Sequence, residues 1–243
     1  MRVIIPCAGD GTRWGNFQDV PKHLAVLRGE PLLHRTVRLV RGLVPDADVV
    51  VVTRDMRDRR ELVDGARRSR AKLDPTRGPA DKLLSSAHLW PRSGRTAVLF
   101  GDVYWTEKAL GRLLLVDDRP WVAAARFGPS SFTGCGHAEL FGFAFDPTGG
   151  EVLAEAAVRL VAAAAEGRIT SWSGGWQIYQ VAAGVPVDDV VRGTAATMPD
   201  LGCSVPVDDW TDDLDAPDDW HRWCWHWARA DEATRRVGHE GEL

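Results

Sequence analysis

Four consecutive valines, Val49 to Val52, fill the run Asp48 to Thr53 without any polar alternation. Successive side chains of a strand point to opposite faces, so such a run is stable only where both faces are covered. That is the condition of a parallel sheet packed between helices. Val3 to Ile5 and Thr96 to Phe100 read as two more strands of this kind. Between them, Pro31 to Val44 carries apolar residues at 32, 33, 37, 39, 40 and 43, the period of a helix. Arg57 to Arg70 reads as a polar, charged helix, and Ala80 to Trp90 and Glu151 to Glu166 as two more. Trp121 to Ala125 and Leu140 to Phe145 read as strands. The alternation predicts an α/β fold with a mostly parallel sheet flanked by helices. At 243 residues the chain suits one core better than two. We therefore expect a single domain over residues 1–236 and a polar, frayed tail over 237–243.

Several function classes fall away at this point. A net charge of −4 gives no electrostatic footprint for nucleic acid. No apolar run approaches the ~20 residues that span a bilayer, and Arg2 to Pro6 reads as a core strand rather than a leader. Cys7, Cys135, Cys203 and Cys224 lack metal-type spacing and read as reduced cysteines, so a cytoplasmic protein is expected. Lysine occurs only at positions 22, 72, 82 and 108, the other basic residues being arginine. This makes each lysine worth placing.

The chemistry concentrates in the loop after the first strand, Cys7-Ala8-Gly9-Asp10-Gly11-Thr12-Arg13, followed later by Val20-Pro21-Lys22-His23-Leu24. Glycines directly after a strand let backbone N–H groups approach phosphate oxygens where a Cβ would obstruct them. Arg13 offers a planar fork to phosphate and Lys22 a point charge. Gly-x-Gly alone also suits a plain tight turn; its combination with Thr-Arg and a later Pro-Lys is far more specific.

Ala8 to Arg13 with Pro21-Lys22 resembles the signature of the nucleotidyltransferases that make activated sugars and alcohols, which have a Rossmann-like fold shared with GT-A glycosyltransferases. Asp10 falls where that family varies, and Trp14 replaces the usual Leu or Met. The resemblance implies that residues 8–13 cradle the phosphates of a nucleotide, and that Arg13 and Lys22 act on the leaving pyrophosphate and the α-phosphate. It also implies a magnesium ion on Asp102, which ends the third strand in Val98-Leu99-Phe100-Gly101-Asp102. The stretch Trp210 to Trp220 is similar to the acidic segment that closes many cytidylyltransferases of this fold, which makes Asp213 and Asp215 the further metal candidates. Gly78 to Ser86 resembles the segment that contacts the nucleobase, with Gly78 and Ala80 as candidate contacts. The implied partners are an NTP or nucleotide-sugar and a small phosphorylated acceptor.

Each residue also has a plainer reading. Asp102 would serve equally as a cap for the helix after Tyr104. Asp218 and Asp219 suit the first turn of a helix behind Pro217 and need no catalytic role. Trp220, Trp223 and Trp227 recur at helical spacing and read as core, with Trp225 on another face. Trp172 and Trp176 flank a glycine loop and are candidates for an acceptor pocket. Cys135 and His137 have the elements of a nucleophile pair but no third orienting residue, so Gly134 to His137 reads as a loop on the acceptor side. The arginines at 57, 59, 60, 67, 68 and 70 read as a solvated helix face. Three functions stay open: magnesium-dependent nucleotidyl transfer; glycosyl transfer from a nucleotide-sugar, with a modified base in DNA among the conceivable acceptors; and a binding module without catalysis.

Overall fold

In the computed structural model the valine run forms an inner strand of a seven-stranded sheet, between its first strand and an edge strand. Residues 1–9, 11–15, 17–54, 56, 63–72, 78–169, 175–190 and 197–240 are described. In chain order the strands are β1 (Arg2–Pro6), β2 (Val26–Leu27), β3 (Glu30–Pro31), β4 (Asp48–Thr53), β5 (Arg67–Arg70), β6 (Thr96–Leu99), β7 (Val103–Tyr104), β8 (Trp121–Arg126), β9 (Glu139–Phe145), β10 (Ser204–Pro206) and β11 (Asp212–Asp213). The helices are α1 (Leu32–Leu43), α2 (Pro79–Leu84), α3 (Glu107–Leu114), α4 (Pro147–Ala165), α5 (Trp176–Ala182) and α6 (Pro217–Glu240). The main sheet has the order β10-β8-β9-β6-β1-β4-β5. Only β9 runs against its neighbours, pairing antiparallel with both β6 and β8.

Both faces of this sheet are buried, as the unbroken apolar runs require. Ile4, Val50, Val52 and Val98 point into one core, covered by α2, α4 and α5. Val3, Ile5, Val49, Val51, Ala97 and Leu99 point into the other, covered by α1 and α3. Helix α4 starts on a strong cap, the Gly149 N–H donating to Asp146 Oδ1 at 2.8 Å with Pro147 in the first turn. A third, smaller core holds Trp14, Ala25, Leu27, Leu32, Tyr104, Leu214 and Trp223. Here the tryptophan stripe of α6 packs as expected: Trp223 is wholly buried and stacks on Trp227 at 5.1 Å, while Trp225 is exposed.

Several expectations meet a different outcome. Arg67 to Arg70 is not helix but the edge strand β5, parallel to β4. An edge strand tolerates charge on its open side, and Arg67 pairs with Asp48 at 2.9 Å. The other arginines of that cluster, 57, 59 and 60, lie outside the described residues. The helix read over Ala80 to Trp90 stops at Leu84 because the Ser85 and Ser86 hydroxyls donate back to the carbonyls of Lys82 and Leu83, at 2.7 and 2.8 Å. Trp176 opens the helix α5 and is buried against Phe127 and Tyr179; Trp172 lies outside the described residues. Helix α6 also runs through Glu240, into the stretch read as a frayed tail. Among the described residues no helix is long and apolar enough to cross a membrane.

Candidate nucleotide site

The chain leaves β1 for β4 on one side and leaves β6 toward β8 and β9 on the other. The boundary between β1 and β6 is therefore the topological switch point, where the loops diverge and open a crevice at the strand ends. The glycine loop leaves β1 into this crevice and Asp102 ends β6 beside it. The two come close at Gly101, where a Cβ would lie 2.7 Å from Cys7 Sγ and 2.8 Å from the Pro6 carbonyl oxygen. Only glycine fits that approach.

The loop is pinned at both ends. The Cys7 N–H continues the ladder to the Val52 carbonyl at 2.8 Å, and Gly11, at φ +60°, turns the chain so that the Trp14 N–H reaches the Gly11 carbonyl at 2.9 Å. Trp14 is the anchor. It is buried in the third core and its indole N–H is shared between the carbonyls of Phe17 and Val20, at 2.9 and 3.0 Å. Gly9, Thr12 and Arg13 stay exposed while Ala8 is buried; Asp10 lies outside the described residues. Gly78 precedes α2, and the Ala80 side chain is fully buried, which leaves only its backbone to meet a base.

Asp213 and Asp215 arrive from more than a hundred residues away through a two-stranded ladder. β11 pairs antiparallel with β7, Asp213 opposite Val103, and the Leu214 N–H donates to the Asp102 carbonyl at 3.1 Å. One carboxylate oxygen each from Asp102, Asp213 and Asp215 lies within 4.8 Å of the others. Asp102 does not cap α3; Thr106 does, accepting from the Ala109 N–H at 3.0 Å. Lys22 enters this cluster from the short turn behind Pro21. Its ammonium donates to Asp215 Oδ1 at 2.6 Å and also bonds Asp102, while Arg13 bonds the other Asp215 oxygen.

The electrostatics follow from this crowding. Burial alone would discharge Lys22, yet the carboxylates of Asp102, Asp213 and Asp215 outweigh it and hold its pKa well above the ordinary lysine range. Burial likewise opposes ionisation of Asp102, but Lys22 and Lys82 overcome it and hold that carboxyl at about 2. Asp213 loses the contest. Burial, then repulsion from Asp102 and Asp215, push its pKa well above the usual carboxylate value. Its Oδ1 is shut away from solvent without a hydrogen-bond partner. A hard divalent cation among these three carboxylates would satisfy that oxygen and remove the repulsion, so the donor set fits magnesium.

Three features had little signal in the sequence. Lys82 of α2 reaches over Gly9, where a Cβ would lie 3.5 Å from its Nζ. Arg126 and Asp212 form a fully buried ion pair at 2.9 Å directly behind Asp213. Cys135 and His137 do have a third partner: His137 Nε2 donates to Glu139 Oε1 at 2.6 Å, and Cys135 Sγ lies 3.7 Å from His137 Nδ1. Burial, aided by Asp212, pushes the Cys135 thiol up to about 11, which disfavours the thiolate that a nucleophile needs.

Comparison with known proteins bears on the family and the fold. A family described as the MobA-like NTP transferase domain matches residues 3–142. The bifunctional protein GlmU of Chromobacterium violaceum is 32% identical over 107 residues, covering 44% of this chain and 23% of that protein. GlmU of Cupriavidus taiwanensis is 30% identical over 128 residues, covering 53% and 27%. The chain thus matches only about a quarter of the length of these relatives. Among solved structures, the CTP:phosphocholine cytidylyltransferase LicC of Streptococcus pneumoniae superposes with a TM-score of 0.54 at 10% identity, covering 91% of this chain and 96% of that one. A putative glucose-1-phosphate thymidylyltransferase of Bacillus anthracis gives 0.58 at 15% identity, covering 91% and 93%. At these identities the superpositions speak for the fold.

Proposed function

We propose that the chain, which belongs to the MobA-like NTP transferase domain family, transfers a nucleotidyl group from an NTP to a phosphorylated sugar or alcohol, with magnesium, and releases pyrophosphate. The observation that carries this reading is the convergence of Lys22, Asp102, Asp213 and Asp215 beside the glycine loop at the switch point. The backbone of Ala8, Gly9, Gly11 and Thr12 binds the phosphates, with Asp10 in the same loop. Arg13, on its exposed side, holds the two phosphates that leave. Lys22 holds the α-phosphate and draws in the acceptor phosphate, whose oxygen attacks phosphorus in line and expels pyrophosphate. No covalent enzyme intermediate is needed, so placement and charge do the catalysis. Asp102 and Asp215, with Asp213, would hold the magnesium ion, which when bound neutralises charge on the phosphates. Glycosyl transfer from a nucleotide-sugar would give Lys22 no such task.

The test is incubation with each of the four NTPs, magnesium and a panel of sugar and alcohol phosphates, reading pyrophosphate. Release that needs both substrates supports the proposal; no release above the enzyme-free background with any pair overturns it. The metal assignment has its own check. Asp102→Asn and Asp215→Asn should each weaken Mn2+ binding, followed by its paramagnetic resonance, by at least about tenfold, with circular dichroism unchanged. Wild-type affinity in both variants would remove these residues from the site.

A further inference from the structure

Three cations surround the glycine loop, and two of them are already engaged. Lys22 bonds Asp102 and Asp215, and Arg13 bonds Asp215. Lys82 is the third. It projects from α2 so that Cε and Nζ would both lie 3.5 Å from a Cβ on Gly9, which places the ammonium over the backbone that faces the crevice. Its charge reaches Asp102, whose ionisation it favours after Lys22. Yet among the described residues its side chain has no hydrogen bond and no ion pair. A half-buried ammonium that no carboxylate bonds directly is available to an anion entering the crevice. Gly9 has no side chain to block that anion.

We propose that Lys82 is a binding residue for the polyphosphate of the nucleotide, adding from α2 a charge to those of Lys22 and Arg13, whose side chains also bond carboxylates. The nature of the ligand rests on the nucleotidyl-transfer reading above; the presence of an anion site at Lys82 rests on the geometry. Lysine suits the role, being a compact point charge on a flexible stem that can follow phosphate oxygens. The small residues around it leave the crevice open: Gly9 lies beneath and Ala80, two residues earlier on the helix, is tucked into the core.

The experiment compares wild type, Lys82→Ala and Lys82→Arg in two assays. In steady-state kinetics Lys82→Ala should raise KM for the NTP about tenfold to a hundredfold, the loss expected for one hydrogen bond to a charged group. Its kcat should stay within about twofold, its KM for the acceptor should not move, and Lys82→Arg should recover part of the loss. In calorimetry inorganic triphosphate should bind Lys82→Ala more weakly by a similar factor. If wild type releases no pyrophosphate with any acceptor, nucleotidyl transfer fails, and the triphosphate titration alone decides the Lys82 site. Unchanged triphosphate affinity in Lys82→Ala overturns the proposal. So does a fall in kcat and Mn2+ affinity with KM for the NTP unchanged, which would make Lys82 a prop for Asp102 instead.

Discussion

Lys22→Ala is expected to lower turnover by on the order of 10²-fold or more, with secondary structure intact. Among the described residues its ammonium is the one cation buried in contact with both Asp102 and Asp215, and the surrounding carboxylates favour its charged form. In the proposed reaction negative charge builds where the acceptor phosphate meets the α-phosphate, and a buried ammonium at that point acts with little solvent screening. Lys22→Arg should not restore the rate, since a planar fork cannot occupy the space of a point charge between two carboxylates. Pyrophosphate release under saturating substrates, with circular dichroism as the folding control, measures the effect. Turnover within a few fold of wild type would count decisively against nucleotidyl transfer through this lysine.

The largest loss of stability is expected from Asp212→Ala. Arg126 and Asp212 have side chains only 6% and 0% exposed and meet at 2.9 Å, with the guanidinium also donating to the Thr211 and Gly128 carbonyls at 3.3 Å. Removing the carboxylate strands a buried positive charge, which costs about 3–5 kcal/mol. Replacing both partners, Arg126→Met with Asp212→Leu, should cost much less than Asp212→Ala alone, because neither charge is then left buried. Urea unfolding at neutral pH measures both; a loss under about 1 kcal/mol for Asp212→Ala would show that Arg126 finds another partner. Since Asp213 is the next residue, the damage should also reach metal binding.

The central sheet was legible because each of its inner strands is buried on both faces and so is written as an unbroken apolar run. The glycine loop was legible for a related reason: close approach to an anion demands glycine at fixed positions behind a strand. Arg67 to Arg70 was not, since an edge strand with an open side has neither an apolar run nor a strict alternation. The carboxylates at 212, 213 and 215 show the limit most clearly. As letters they are equivalent, but a two-residue strand turns Asp212 into the core toward Arg126 and Asp213 toward Asp102. Periodicity cannot be read from two residues. Lys82 was hidden in the same way: its helix was anticipated, but not that this face of it overhangs Gly9.

The pairing of β7 with β11 also bears on the order in which the protein becomes competent. A chain emerging from the ribosome can complete β1, β4 and β6 and form the glycine loop long before Asp212 to Asp215 are synthesised. Until then Asp102 and Lys22 face each other without their later partners. Closing a loop of this span costs little more entropy than closing a shorter one, but it comes late and needs the third core, with Trp223 against Tyr104, to hold it. The β7–β11 pairing thus makes the segment before the last helix a checkpoint: a product cut short before residue 212 would keep the inner strands and the glycine loop, yet would lack two of the three carboxylates on which the proposed reaction depends.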